Sequence, residues 1–85
     1  MYSGEIKKVT FRIVKAMISD VIDIFGSDVR FTNETDTHVT VTTMVNIRSM
    51  MQFAKNYAPD VVVLKPKSLR NELKEAFEEV LNQYV

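Results

Sequence analysis

An α+β fold built on a four-stranded antiparallel sheet is predicted by three features of the sequence. Four segments alternate apolar with polar residues or are rich in β-branched residues, which is typical of strands. Three other segments repeat apolar residues every three or four positions, which is typical of amphipathic helices. These segments follow one another as strand, helix, strand, strand, helix, strand and helix.

The first strand and the first helix are distinguished by a change in hydrophobic period. Residues 6–13 alternate, so that their apolar side chains face the core whereas Lys8 and Arg12 face solvent. Residues 14–25 then repeat apolar side chains at helical spacing. Gly26 follows at once and is expected to cap the C-terminus of this helix.

A hairpin is predicted next. Two alternating segments, 28–34 and 38–44, are separated by the polar turn-forming residues 35–37. Phe31 is expected to face the core. His38 is expected to be an exposed strand residue beside the turn.

The second helix and the fourth strand are each followed by a proline. Asn46 is expected to cap a helix that runs to about Tyr57, and Pro59 prevents its continuation. The apolar, β-branched run 61–64 is expected to be a strand that ends before Pro66.

The last helix follows this strand directly and is expected to end near Tyr84. Ser68 is its expected N-cap, with Pro66 at the first helical position as the alternative. Its apolar positions draw a single stripe that consists of Leu69, Leu73, Ala76, Phe77, Val80, Leu81 and Tyr84. This stripe has to be buried against the sheet edge, against the open sheet face or on another chain.

The order of the elements predicts a ferredoxin-like, split β-α-β topology with an additional C-terminal helix. Right-handed crossovers would place both connecting helices on one face of the sheet, with the strands in the order 4-1-3-2. The opposite face is expected to be polar and locally basic, because it carries Lys8, Arg12 and Arg30. Residues 1–85 are expected to form one domain.

The composition argues against several classes of function. Eleven Lys and Arg residues balance eleven Asp and Glu residues, so net charge does not steer the chain towards nucleic acid or anionic membranes. With no cysteine and one histidine, neither a metal site nor a nucleophile paired with a base is expected. No catalytic residue and no cofactor is therefore predicted. No apolar run is long enough to span a membrane, and a reducing, cytoplasmic location is expected.

A comparison with RNA-recognition sheets separates two modes of binding. Such sheets stack bases on aromatic rings that lie on the outer face of the central strands. Here Phe11 is expected on the core side, and the third strand has no aromatic residue. Base stacking is therefore not expected, whereas phosphate contacts from Lys8, Arg12 and Arg30 are compatible with the pattern.

Four motifs resemble the C-terminal extension domain of WYL-domain transcriptional regulators, the WCX domain, over residues 2–84. The first is Ser3-Gly4-Glu5 followed by the strand VTFRI, and the second is Ile24-Phe25-Gly26 at the end of the first helix. The third is MQFAKNYAPDV, in which Phe53 and Ala58 stand where the family commonly has tryptophan and glycine. The fourth is VLKPKSLR, which is similar to the family's V-L-x-P-x-x-L-R.

The resemblance implies a non-catalytic regulatory module of a bacterial DNA-binding regulator, excised from a longer chain that also has winged-helix and WYL domains. In that family the extension is associated with dimer contacts and with completing the effector site, in some members for single-stranded DNA. A homodimer and a nucleic-acid or small-molecule effector are therefore the implied partners, and no membrane is implied.

Two groups of residues follow as candidates. Arg70, by its position in the fourth motif, joins Lys8, Arg12 and Arg30 as a candidate effector contact. The structural alternative is that Arg70 forms an ion pair with Glu72 or Glu75 or ties down the preceding loop. The apolar stripe of the last helix supplies the candidate dimer or interdomain contacts, which are Leu73, Phe77, Leu81 and Tyr84.

Two other classes of function match parts of the sequence. A ferredoxin-like small-molecule-binding or oligomerisation domain unrelated to transcription would have the same topology, and thermal stabilisation by amino acids or nucleotides would distinguish it. An acylphosphatase-like enzyme would need an anion-binding loop with an arginine after the first strand. Arg12 lies within that strand, and no glycine loop follows it.

Overall fold

The computed structural model describes residues 5–26 and 28–84. Its elements are β1 (Ile6–Val14), a 3-10 turn (Lys15–Met17), α1 (Ile18–Phe25), β2 (Arg30–Thr32), β3 (His38–Asn46), α2 (Ile47–Tyr57), β4 (Val61–Lys65) and α3 (Lys67–Asn82). The Ser3-Gly4 turn of the first motif lies outside the described residues. The order and type of the predicted elements are confirmed.

The four strands form one antiparallel sheet in the order β2-β3-β1-β4, which is the predicted order 4-1-3-2 read from the other edge. β1 pairs with β3 along its whole length, from Ile6 opposite Asn46 to Val14 opposite His38. β1 and β3 are therefore the central strands, and the shorter β2 and β4 form the two edges. The α+β, ferredoxin-like fold with an additional C-terminal helix is confirmed.

Three phenylalanine rings join the sheet to both connecting helices. The ring of Phe11 on β1 lies 5.8 Å from that of Phe25 on α1 and 6.1 Å from that of Phe53 on α2. Phe25 and Phe53 also meet edge to face at 5.1 Å, a favourable arrangement for aromatic quadrupoles. Since both helices contact one buried side chain of β1, they lie on the same face of the sheet, as predicted. The core side of Phe11 is likewise confirmed.

Two helix ends follow local capping rules. The side chain of Asn46 accepts a hydrogen bond from the backbone N–H of Ser49 at 3.1 Å, which confirms it as the N-cap of α2. Gly26 ends α1 with φ +88°, and its N–H donates to the carbonyl of Ile22 at 2.8 Å. This backbone conformation favours glycine, so the predicted C-cap is also confirmed.

The start of α3 differs from the prediction. Pro66, in extended conformation at φ −75° and ψ 160°, is the N-cap, and its carbonyl accepts from the N–H of Arg70 at 3.1 Å. The helix therefore begins at Lys67, and the predicted cap Ser68 lies inside its first turn. The backbone N–H groups at the start of a helix have no partner within the helix. Proline has no N–H, so at this position it leaves no hydrogen bond unmade.

The edge strand β2 also differs from the prediction. It is only three residues long, and Phe31 within it is 36% exposed. Phe31 lies opposite the buried Val41 and so shares the core face, but at the edge of the sheet its burial is incomplete. The expected inward burial of Phe31 is therefore only partly realised.

The apolar stripe of α3 is buried only at its beginning. Leu69 and Leu73 belong to the core of this domain, where α3 contacts α2 and β4. Further along, exposure rises to 39% at Phe77, 64% at Leu81 and 85% at Tyr84. None of the three burial sites considered takes the whole stripe: its first half packs into the core beside α2 and β4, and its second half projects into solvent.

Candidate functional site

The open face of the sheet carries the polar side chains that the alternation predicted. Arg12 lies opposite Thr40, and Thr10 lies opposite Thr42, across β1 and β3. Arg30 on β2 lies on the other side of Thr42 and therefore on the same face. Lys8, Arg12 and Arg30 are all exposed.

A register shift in β4 adds a further cation to this face. Phe11 lies opposite Val63, but the next residue of β1, Thr10, lies opposite Lys65 rather than Leu64. One extra residue in β4 thus forms a bulge, a feature that changes the direction of the side chains that follow it. Lys65 is brought beside Thr10 on the open face.

Four cations border one end of the open face, and we call them the basic cluster: Lys8, Arg30, Lys65 and Lys67. They line an open depression of about 1170 Å³ together with hydroxyl groups of β1 and β3 and a single carboxylate, that of Asp28. Among residues 5–26 and 28–84, the ion pairs are Lys7–Glu5 at 3.6 Å and Lys15–Glu34 at 2.8 Å, so no member of the basic cluster is neutralised by a carboxylate there. An anion could therefore bind here without displacing an internal partner.

The structure groups only two of the four predicted effector residues at this depression. Lys8 and Arg30 line it, whereas Arg12 lies four residues beyond Lys8 along β1, between Thr40 and Val62. The sequence reasoning missed Lys65 and Lys67. The Lys-Pro-Lys motif around Pro66 was the available signal, but the bulge that aims Lys65 has no signature in the sequence.

Arg70 lies at a different surface. It lines a groove of about 730 Å³ between β4 and α3, together with Asn71 and Lys74 from the same helix. The expected ion pair of Arg70 with Glu72 or Glu75 does not form in the part of the chain that the structure describes. Arg70 is therefore an exposed cation on the wall of this groove.

The candidate contact residues of α3 divide into two kinds. Leu73 is 4% exposed and is packed within this domain, where it also lines the groove that contains Arg70. Phe77, Leu81 and Tyr84 are exposed, and Val80 at 53% exposure belongs with them. We call these four residues the α3 apolar end.

The turn that contains His38 is held by local polar contacts. The hydroxyl of Thr35 accepts from the N–H groups of Thr37 and His38 at 3.3 and 3.0 Å, and Nδ1 of His38 lies 2.7 Å from the hydroxyl of Thr37. Lys15 is joined to this loop by its ion pair with Glu34. The hydrogen bond from the Lys15 side chain, together with its positive charge, lowers the pKa of the Glu34 carboxyl below 4.5. These contacts fix the hairpin rather than form a site.

Residues 5–26 and 28–84 contain neither a cluster of metal ligands nor a helix that could span a membrane. No group of three or more His, Asp or Glu side chains is placed to hold a metal ion there. None of the helices described has the length and apolarity needed to cross a bilayer.

Comparison with known families gives a match that covers most of the chain. The model of the WCX domain matches residues 5–81, from the start of β1 almost to the end of α3. Comparison with curated proteins found no match. The match includes all four strands and the motif around Pro66 on which the sequence resemblance depended. The chain therefore belongs to the WCX domain family.

Proposed function

We propose that this domain is a non-catalytic regulatory module of a cytoplasmic WYL-type transcriptional regulator, and that its open sheet face contacts an anionic effector. The observation that carries the proposal is the basic cluster. In a chain with no net charge, Lys8, Arg30, Lys65 and Lys67 are concentrated at one end of one face, where Asp28 is the one acidic neighbour. Such a local field attracts phosphate-bearing ligands even when the net charge does not.

The nature of the face favours contact with phosphates over recognition of bases. The rings of Phe11 and Phe53 are buried in the core, and Phe25, which borders the depression, is packed against both of them, so the central strands present no aromatic ring for stacking. Cations beside hydroxyl groups are suited to phosphate oxygens, which accept several hydrogen bonds. Arg12, further along β1, would extend the contact for a longer ligand such as single-stranded nucleic acid.

Binding to a short fluorescein-labelled oligothymidine, followed by fluorescence anisotropy, tests the effector surface. The logarithm of the binding constant should fall linearly with the logarithm of salt concentration, with a slope of about −0.7 for each phosphate neutralised. The double variant Lys8→Glu, Arg30→Glu should abolish binding. The double variant Arg48→Glu, Lys55→Glu, which reverses the same number of charges at exposed positions of α2, is the matched control and should weaken binding far less.

Ligand binding that does not depend on salt concentration would favour the second candidate function, which is that of a small-molecule-binding domain. If amino acids or uncharged metabolites raise the melting temperature of the chain and the oligonucleotide does not, the domain is a small-molecule-binding module instead. In the parent regulator, removal of the domain should alter effector response or dimerisation while operator contacts persist. A parent gene with no DNA-binding domain would contradict the regulatory assignment.

The α3 apolar end supports a second part of the proposal, which is contact with a second copy or with a neighbouring domain. Single exposed apolar residues are common, but Phe77, Val80, Leu81 and Tyr84 are neighbours at helical spacing and form one patch. Light scattering should give a dimer mass for the chain and a monomer mass for Leu81→Glu. A monomer mass for the unaltered chain would assign the patch to another domain of the regulator.

A further inference from the structure

The outer edge of β4 offers backbone hydrogen bonds to a partner. β4 pairs with β1 on one side and is the last strand of the described sheet. The N–H of Val14 donates to the carbonyl of Asp60 at 3.2 Å, so Val14 and Asp60 form a hydrogen-bonded pair of the β1–β4 ladder. Because such pairs alternate along an antiparallel ladder, Val62 directs its backbone groups to β1, whereas Val61 and Val63 direct theirs outwards.

The groove that contains Arg70 runs along this edge. Its walls are β4 and one side of α3, where Arg70, Lys74 and Phe77 recur at helical spacing. Apolar side chains of α2 and β4, together with Pro59 between these two elements, supply most of the remaining lining. An edge strand beside a helix, with an apolar groove between them, is the geometry in which extended peptides add to sheets.

The charge of the groove indicates what kind of peptide fits. Lys67, Arg70 and Lys74 line it, and none of its lining residues is acidic. None of the three cations forms an ion pair within the described ranges. A second copy pairing edge to edge would bring the same three cations towards each other, which disfavours that occupant.

We propose that β4 and α3 form a docking site for an extended acidic segment of a partner protein, which adds to the sheet as a fifth strand. Its backbone would pair with the outward N–H and C=O groups of Val61 and Val63. Its side chains on the α3 side would place a carboxylate against Arg70 and Lys74 and apolar groups towards Phe77. Five residues of β4 span about 17 Å, so a segment of five or six residues would fill the site.

The first test uses a fluorescein-labelled hexapeptide of the sequence Thr-Val-Thr-Glu-Thr-Val. The valines and the glutamate occupy its even positions and the threonines its odd positions. It should bind the 85-residue chain saturably and slow amide exchange at Val61 and Val63 more than at Val62. N-methylation of the even positions, whose backbone would face β4, should abolish binding, whereas N-methylation of the odd positions should preserve it. Equal binding of both methylated peptides would show contact without strand addition and overturn the proposal.

The second test exchanges charges between the groove and the peptide. Arg70→Glu should weaken binding by about tenfold or more, as expected for loss of a charge-assisted hydrogen bond, and a peptide with lysine in place of glutamate should recover affinity for this variant. Lys55→Glu, outside the groove, should leave affinity unchanged. Lys67 borders both surfaces, but these measurements change only Arg70, which lies outside the basic cluster, so a failure here leaves the proposed effector surface untouched.

Three results would overturn the docking site. One is the absence of saturable peptide binding to the folded chain. Another is protection of the β2 edge instead of β4. The third is slowed exchange at Val61 and Val63 that grows with protein concentration in the absence of peptide, because the edge would then be occupied by a second copy.

Discussion

The hydroxyl oxygens of Thr10 and Thr42 lie 3.2 Å apart and are hydrogen-bonded across the two central strands. The pair is partly buried and sits between the cations of the open face. It joins β1 to β3 on the side of the sheet that no helix of the described structure covers. This hydrogen bond therefore links the two central strands on the same face that exposes the cations to ligands.

Thr42→Val should lower the free energy of unfolding by about 0.5–1 kcal/mol, because valine keeps the β-branched shape and removes only the hydrogen bond. The double variant Thr10→Val, Thr42→Val should cost less than the sum of the two single variants, since it leaves no hydroxyl without its partner. Urea denaturation of all four proteins measures the coupling. Strict additivity would show that the two hydroxyl groups do not interact.

Phe11→Ala should lower the free energy of unfolding by about 3–5 kcal/mol, because it removes the ring that contacts both Phe25 and Phe53. The total stability of a chain of this length is about 4–13 kcal/mol, so the variant should lose a large fraction of it. Phe31→Ala, at the β2 edge, is the matched control and should cost less than half as much. Circular dichroism during urea denaturation measures both, and similar losses would contradict the assigned core.

Gly26→Ala should lower the free energy of unfolding by about 1–3 kcal/mol through backbone strain alone. No atom lies within 4 Å of the position that the new Cβ would occupy, so a steric clash is not the cause. At φ +88° an L-residue is strained whereas a D-residue is not. D-alanine at this position, introduced by chemical synthesis, should therefore keep the original melting temperature, and a loss equal to that of L-alanine would refute the explanation.

The Lys15–Glu34 ion pair should make stability depend on pH in acid. Since the fold lowers the pKa of Glu34 below 4.5, the pair stabilises the folded state above that pH, and the contribution disappears as pH falls through the lower, folded pKa. The melting temperature of the unaltered chain should thus exceed that of Glu34→Gln at neutral pH but not in strong acid. The effect should be small and should shrink with added salt, because both side chains are solvent-exposed.

Glu75→Gln is the control for this pH profile. Glu75 is exposed on α3 and forms no ion pair within the residues described. The difference in melting temperature between the unaltered chain and Glu75→Gln should therefore stay nearly constant across the acid range. A pH trend equal to that of Glu34→Gln would assign the effect to general charge rather than to the pair with Lys15.

Local patterns in the sequence determined the order and type of the elements, the sheet topology and the inward side of Phe11. Hydrophobic period, turn residues and helix caps act over a few neighbouring positions, so they can be read from the chain, as the cap at Asn46 illustrates. The same periodicity correctly placed Lys8, Arg12 and Arg30 on the open face.

Only the tertiary structure decided which cations meet. The bulge opposite Thr10 places Lys65 on the open face with Lys8, whereas Arg70 lines the groove between β4 and α3 and not the depression that Lys8 and Arg30 line. The tertiary structure also decided that the apolar stripe of α3 is covered at Leu73 and uncovered at Leu81. A periodic pattern specifies which side of a helix is apolar, but the extent of its burial depends on how far the sheet beneath it reaches.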